Sequence, residues 1–269
     1  MEEEKLENLK KAWYDNDGVL FEIIKNLGAR ETAIIGQSRQ RNIKAHTIAY
    51  LKSNFKAFNF IGRKFNLYNS LALFKNFPLF PYYYQQRKKK QEEFRTTYKD
   101  YMIGYDFLLD IDSKEKPEFS YAVTWKVKEI FDKYKVRYYL LYSAGKNNGF
   151  HIRVSYEDLP EIYKAMNYTE LCNIFKRFVL RLGNIHNLIF IDDTITDLRR
   201  VAKCPYSVVY PFYKIALPLS NSEFENFDVR KTYLEYWIKN IDKIRYRGLL
   251  KREGEPENFK RLIDDVMAE

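Results

Sequence analysis

The chain has 269 residues, 46% hydrophobic, 17% aromatic and 30% charged, with only 10 Gly and 8 Pro, which excludes a low-complexity or disordered protein and allows one large domain or two modest ones. A formal net charge of +10 points to a polyanionic partner (nucleic acid, nucleotides or anionic membrane) or to a lysine-rich surface kept for solubility. Two isolated cysteines, Cys172 and Cys204, argue against a disulfide framework and a zinc site, while the absence of a signal-like start or a membrane-length apolar run points to a reducing, cytoplasmic setting.

In chain order, Leu6, Leu9 and Trp13, then Leu20, Ile23, Ile24 and Leu27, recur at helical spacing and predict one or two helices over 1–28. "ETAIIG" (31–36) reads as a strand and "AHTIAYLKSNF" (45–55) as a helix, while "KFNLYNSLALF" (64–74) fits either. The stretch 78–100 joins three tyrosines to Arg87, Lys88, Lys89 and Lys90, a pattern that could stack bases and hold phosphates or be a solvated helix face after an aromatic turn.

A strand over 105–111 then leads to a helix carrying Val123, Val127, Ile130, Phe131 and Tyr134. "VRYYLLYS" (136–143), "AGKNNG" (144–149) and "FHIRV" (150–154) predict an antiparallel hairpin. A helix over about 159–182 should stop at Gly183; "LIFID" (188–192) and "YKIALPLS" (213–220) read as strands, and 228–245 as a helix. The tail from Lys251 to Glu269 could be a helix or a linker. The order strand–helix–strand–strand–helix–strand is that of a ferredoxin-like or RRM-like sheet with helices on one face, so the fold class is α+β.

Strand alternation places Phe107, Leu109 and Ile111 on one face and Leu108, Asp110 and Asp112 on the other; likewise His151 and Arg153 oppose Phe150, Ile152 and Val154. Both strands should therefore present charge on an open face. A second strand ends in acid at Asp192 and Asp193, and Asp110 and Asp112 joined by Asp192 could hold two divalent ions such as Mg²⁺ or Mn²⁺, a device for phosphoryl or nucleotidyl transfer. A surface Asp pair is the alternative for "DID" taken alone. The loop "SAGKNNGFH" can cradle phosphates through its small residues, with Ser143 and Lys146 as donors and His151 beyond, or be a plain hairpin turn. "DLRRVAKCPYS" places Arg199, Arg200 and Lys203 after the second acidic strand, as phosphate ligands or as a solvated basic segment.

Together these pieces resemble the archaeo-eukaryotic primase superfamily, the catalytic subunits of archaeal primases and their primase-polymerase relatives. Its hDhD strand, its sGxGxH-type strand and its hD strand with an "RxxRxPxS"-like segment are similar to "FLLDID", "YSAGKNNGFHI" and "IFIDDTITDLRRVAKCPYS" over about 105–207. The resemblance implies a primase fold, with an RRM-like catalytic unit packed on an N-terminal α/β unit. It implies Asp110, Asp112 and Asp192 as catalytic metal ligands, and Ser143, Lys146, His151, Arg200 and Lys203 as nucleotide ligands. The chain lacks the Cys/His set of the superfamily's zinc knob, so no zinc is expected. "KNN" separates Gly145 from Gly149, Lys203 stands where an Arg is usual, and Val209 where a His often follows.

The expectation is a template-directed nucleotidyltransferase, a DNA primase, a polymerase or both, with 1–100 as the N-terminal part, 101–225 as the catalytic part and 226–269 as a C-terminal helical segment. Expected partners are single-stranded DNA template, nucleoside triphosphates, and replication, mobile-element or defence-system proteins, with no membrane. The alternatives are a metal-dependent nuclease, and a non-catalytic RRM-like module for single-stranded nucleic acid. The module would place stacking aromatics where Asp110, Asp112, His151 and Arg153 stand.

Overall fold

A computed structural model of the chain describes residues 2–35, 39–43, 48–57, 64–75, 102–113, 117–189, 191–192 and 200–269. Helices α1 (Glu2–Asp15) and α2 (Asp17–Leu27) open it, separated by Asn16, whose side chain caps α2 by accepting from the Val19 N–H at 3.1 Å. Their shared face buries Trp13, Val19, Leu20, Ile23 and Leu27. Trp13 Nε1 donates to the Tyr206 carbonyl at 2.9 Å, and Tyr14 accepts from Val208 N at 2.9 Å, so the N-terminal helices are tied to a segment far along the chain.

Two antiparallel sheets follow. In the first, β1 (Arg30–Ile35) pairs with β2 (Arg39–Ile43) and with β3 (Asn66–Phe74). The other edge of β3 is shared by β4 (Met102–Tyr105) and β8 (Val201–Lys203). The ambiguous segment 64–74 is thus a strand, buried along nearly its whole length, so no polar alternation marked it. Helix α3 (Ile48–Ala57) follows β2 and buries Leu51 and Phe55.

In the second sheet the order is β11 (Leu217–Leu219), β6 (Tyr139–Tyr142), β7 (Phe150–Val154), β5 (Phe107–Ile111). An isolated bridge sets Ile191 beside Ile111 on the far side of β5. The expected strand at 188–192 is therefore a single bridge among the described residues. The hairpin is as expected, with Tyr142 opposite Phe150. Two further short strands, β9 (Val208–Val209) and β10 (Lys214–Ile215), pair with each other. The expected strand at 213–220 is thus split between β10 and β11, which serve different sheets.

Helices α4 (Pro117–Lys133), α6 (Tyr168–His186) and α9 (Pro256–Ala268) cover one face of the second sheet. Phe107 meets Phe131, Phe175, Phe178 and Phe259 with ring centroids 5.0–6.5 Å apart. The C-terminal tail is therefore a core helix, burying Phe259, Leu262, Ile263 and Val266.

Three expectations need correction. The helix over 159–182 is two, α5 (Glu161–Lys164) and α6, because Asn167 caps a fresh start by accepting from Glu170 N at 3.1 Å. It also runs past Gly183 and ends at Asn187, held in the left-handed region at φ 49°. The helix over 228–245 is reduced to α8 (Leu234–Ile238) between short 3₁₀ turns; the Lys214–Tyr233 bridge keeps its entry extended, and the Asn240 amide bonds back to the Tyr236 carbonyl at 2.8 Å. A short helix α7 (Asn221–Glu225) precedes it, closed by a capping box between Ser220 and Glu223.

The third correction concerns the face expected to be open. Leu108 and Arg153 are both buried, and Arg153 lies against the first sheet, reaching the Asn69 side chain and the Ser70 carbonyl, both at 3.4 Å. The strand expected over 105–111 is also interrupted at Asp106, where the chain leaves β4 and crosses from one sheet to the other, its N–H donating to the Leu71 carbonyl of β3. Only the Asp110 end of that face opens to solvent.

Candidate active site

The site is built where β5 and β7 run side by side. Their register places Asp110 directly opposite His151, with His151 Nε2 3.4 Å from Asp110 Oδ1. The bridge at Ile191 carries Asp192 in from the other side, its N–H donating to the Asp110 carbonyl at 2.9 Å. Arg200, at the start of β8, completes the group: its Nη2 lies 3.3 Å from Asp110 Oδ2 and bonds the Asp192 carboxylate. A guanidinium between two carboxylates from separate strands neutralises the repulsion that "FLLDID" and its partner strand would otherwise carry.

Burial works to raise the Asp110 carboxyl, but the neighbouring His151 and Arg200 overcome it and hold it below the usual carboxylate range. The Asp110 side chain is 24% exposed, so the pair is reachable from solvent. His151 is buried, and its Nδ1 has no hydrogen-bond partner among the described residues.

Asp112, one step beyond β5, is exposed and turned toward the hairpin loop. A Cβ on Gly149 would fall 3.2 Å from Asp112 Oδ1, 3.2 Å from Ser143 Oγ and 2.8 Å from the Ile111 carbonyl. Gly149 is therefore what lets the loop lie against the acidic strand. Ser143 closes the loop with two bonds to the Gly149 carbonyl, from its N–H at 2.9 Å and its hydroxyl at 3.0 Å. Ala144 and Asn148 both sit in the left-handed region, at φ 57° and 51°. The Asn148 side-chain oxygen accepts from Tyr142 at 2.5 Å and from Lys214 at 2.6 Å. Lys146 is exposed at the loop tip.

Lys203 lies on β8 opposite Tyr68, its amine 2.6 Å from the Tyr68 hydroxyl and 4.2 Å from the ring centre. Burial pushes that amine down to about 8, against partial support from Asp110. Arg200 and Lys203 are thus brought to Asp110 by β8's pairing with the first sheet.

Of the residues singled out in sequence, Asp110, Asp192, His151, Arg200 and Lys203 converge, while Asp112 faces the adjoining loop that carries Ser143 and Lys146. Arg87, Lys88, Lys89 and Lys90 lie outside the described residues, as do Asp193 and Arg199. Sequence reading missed Tyr68, Tyr142 and Lys214, because each acts on a partner in another element and carries no local pattern. Cys172 is buried in α6 as expected, and Cys204 is buried with its thiol pushed up to about 12, which leaves it protonated and inert.

Among the described residues no three His, Cys, Asp or Glu side chains stand together ready to hold a metal ion. The carboxylate oxygens of Asp110 and Asp192 are of the kind that suits Mg²⁺ or Mn²⁺, with the His151 imidazole beside them. Arg200 occupies the position of a counter-cation between Asp110 and Asp192.

This geometry belongs to a mixed α/β fold of antiparallel sheets with an acidic and basic cluster at one mouth. No protein-family model matches the chain, and no curated protein matches it in sequence. Its fold is similar to the solved structure of the polymerase domain of Mycobacterium tuberculosis ligase D in complex with DNA, with a TM-score of 0.59. The likeness covers 95% of this chain and 91% of that one at 13% identity, and is one of fold. No described helix is long and apolar enough to cross a membrane.

Proposed function

We propose that the chain is a template-directed nucleotidyltransferase, a primase or primase-polymerase of the archaeo-eukaryotic superfamily, which joins nucleoside triphosphates to a 3′-hydroxyl and releases pyrophosphate. The observation that carries this reading is the cross-strand pair of Asp110 and His151 with Asp192 and Arg200 beside it, on a fold shared with a DNA-bound polymerase domain. The strand order 191, β5, β7, β6, with helices on one side, supports the RRM-like form of the catalytic sheet.

Asp110, Asp112 and Asp192 would hold two Mg²⁺ or Mn²⁺ ions, which when bound lower the pKa of the attacking hydroxyl and neutralise charge on the phosphates. Arg200, released from the carboxylates, turns its guanidinium to the triphosphate, where bidentate donation suits phosphate oxygens. Ser143 and Lys146 face the same group from the loop, and His151 presents a ring otherwise short of a partner at Nδ1. Lys203 adds a cation whose position is fixed by Tyr68. Gly149 keeps loop and carboxylates close enough to share one substrate.

Single-stranded DNA as template fits the net charge of +10, with Arg87, Lys88, Lys89 and Lys90 as candidate strand contacts. A cytoplasmic setting and replication, mobile-element or defence-system partners belong to the same reading. The test is incubation with single-stranded template, Mg²⁺ or Mn²⁺ and labelled nucleotides, with and without primer, beside Asp110→Ala/Asp112→Ala. Synthesis without primer that disappears in the variant identifies a primase; extension of supplied primers alone identifies a polymerase. Equal behaviour of both proteins, with strand binding but no incorporation, overturns the enzyme reading in favour of a binding module.

A further inference from the structure

The end of the molecule away from Asp110 holds a polar cleft of about 410 Å³. Ser155 forms part of its wall, four residues past His151 on the line of β7 and so about 13 Å along an extended chain. Lys25, Arg30, Arg247 and Lys251 also line it. Three of these cations are each fixed by a carboxylate that does not itself line the cleft. Asp106 holds Arg30 at 2.8 Å, Glu223 holds Arg247 at 2.6 Å, and Asp158 holds Lys251. Lys25 stands exposed on the last turn of α2. Glu157 is the acidic residue on the wall, more than half exposed and 3.6 Å from Arg30.

Cations anchored in this way keep their positions before a ligand arrives, so an anion loses less to ordering them. Two donors in the lining also lack hydrogen-bond partners among the described residues: Nδ2 of Asn26, which is 8% exposed, and Nε of Arg247. Both atoms are closed off from solvent, so they help to hold the wall and leave ligand contacts to the reachable cations.

Tyr246 adds an apolar wall. It is 68% exposed, an unusual setting for a large aromatic, and its ring is propped by the edge of Phe21 at 5.7 Å and by the Arg245 guanidinium at 5.1 Å. The loop that presents it is tied down at Gly248, whose N–H donates to Glu22 at 2.9 Å and whose carbonyl accepts from Tyr206. A fixed, exposed ring beside organised cations is the pairing that single-stranded nucleic acid recognises, base on the ring and phosphate on the cations.

We propose that this cleft binds one nucleotide unit of a single-stranded nucleic acid, its phosphate held by Lys25, Arg247 and Lys251 and its base against Tyr246. The inference rests on the proposed function for its choice of ligand, and it gives the strand a contact separate from the reacting centre.

The experiment is fluorescence anisotropy of labelled oligo(dT) with the full chain, for wild type, Tyr246→Ala and Lys25→Glu, over a range of salt. Both residues are exposed, and far-UV circular dichroism checks that each variant folds. Each substitution should weaken binding about tenfold, as the loss of one stacked base or one phosphate contact does. Lys25→Glu should also lower the salt slope by about one or more. Affinities and slopes equal to wild type in both variants overturn the proposal, as does a wild type that binds no strand. Competition with free dTMP separates the sources of the same chemistry: a cleft that dTMP fills while both variants bind the strand normally is a mononucleotide site, and the strand proposal fails. Nucleotide incorporation by the wild type, measured alongside, reads the Asp110 site independently. A protein that loses strand affinity with Tyr246 yet incorporates nothing would keep the cleft and lose the polymerase.

Discussion

Arg153 donates from Nε to Asp106 Oδ2 at 3.0 Å in the interior of the protein, at the point where the chain passes from the first sheet into the second. Arg30, from β1, closes on the same carboxylate with two bonds of 2.8 Å, and the Tyr156 N–H adds one of 2.7 Å. Asp106 lies four residues before Asp110, and Arg153 two residues after His151, so the network that joins the sheets also fixes the register of the two strands bearing the site.

Breaking this network leaves two arginines without their shared carboxylate. Asp106→Ala should therefore cost about 3–5 kcal/mol in urea unfolding, since removing one partner strands the buried charge of the others. A loss under 1 kcal/mol would show that the sheets are joined by apolar packing alone.

The same carboxyl predicts an acid transition. Burial acts to raise Asp106, yet Arg153 and Arg30 outweigh it and bring the group down to about 2. A carboxyl depressed in the folded state stabilises it above the ordinary value near 3.9, and that contribution is lost as pH falls through about 4 toward 2. Roughly 2–3 kcal/mol should disappear over that window. Asp106→Asn should remove this part of the pH dependence, as read by unfolding midpoints at a series of pH values.

Arg200 predicts a competition between protein and metal cations. With its guanidinium between Asp110 and Asp192, Arg200→Ala should tighten Mn²⁺ binding by up to about tenfold, because the ion no longer displaces a resident charge. On the proposed function the same variant should raise the KM for nucleotide at least as much, because Arg200 is then the bidentate phosphate ligand removed. Calorimetry with Mn²⁺ and steady-state kinetics read the two effects separately; weaker Mn²⁺ binding would contradict the competition.

How far the sequence carried this picture depended on which faces were buried. The helix at 117–133 and strands β5 and β7 were readable because each has residues of one periodicity against the phenylalanine core. β3 has almost no polar alternation, being buried on both faces along most of its length, so 64–74 could not be assigned. Asp106 was hidden inside what looked like one continuous strand, because the change of sheet depends on Leu71 accepting its N–H. The acidic residues and His151 were visible as local motifs, whereas Tyr68 lies 135 residues from Lys203 and nothing near either marks the pairing. The face expected to be open was misread at Arg153 for a related reason: strand alternation says which residues share a face, but only tertiary packing says what covers it.

Lys203 predicts opposite pH trends for binding and stability. With its amine lowered to about 8 by burial, the folded protein releases a proton there that the unfolded chain keeps until about 10.4. The unfolded state then binds more protons, so this group's contribution to stability rises as pH climbs from about 8 to 10. Affinity for nucleotide should fall over the same range as the cation is lost. Tyr68→Phe removes the hydroxyl that holds the amine and should raise KM several-fold with little change in kcat; an unchanged KM would leave Tyr68 a packing residue.

Gly149 is the most demanding position in the site. An added methyl group would stand 2.8 Å from the Ile111 carbonyl, a backbone atom that cannot turn aside, and 3.2 Å from both Asp112 and Ser143. Gly149→Ala must therefore push the loop off the acidic strand, at a cost of about 1–3 kcal/mol in stability. The effect on activity should be larger than that figure implies, because Ser143 and Asp112 lose their relative placement and a displacement of about 1 Å can cost a hundredfold in rate. Gly145→Ala is the comparison: its methyl group would meet only Ser143 Oγ, at 3.8 Å, which is ordinary contact. Incorporation that falls a hundredfold in Gly149→Ala and holds within a few-fold in Gly145→Ala would tie activity to the closeness of loop and strand. Equal losses in both would place the requirement on the flexibility of the loop.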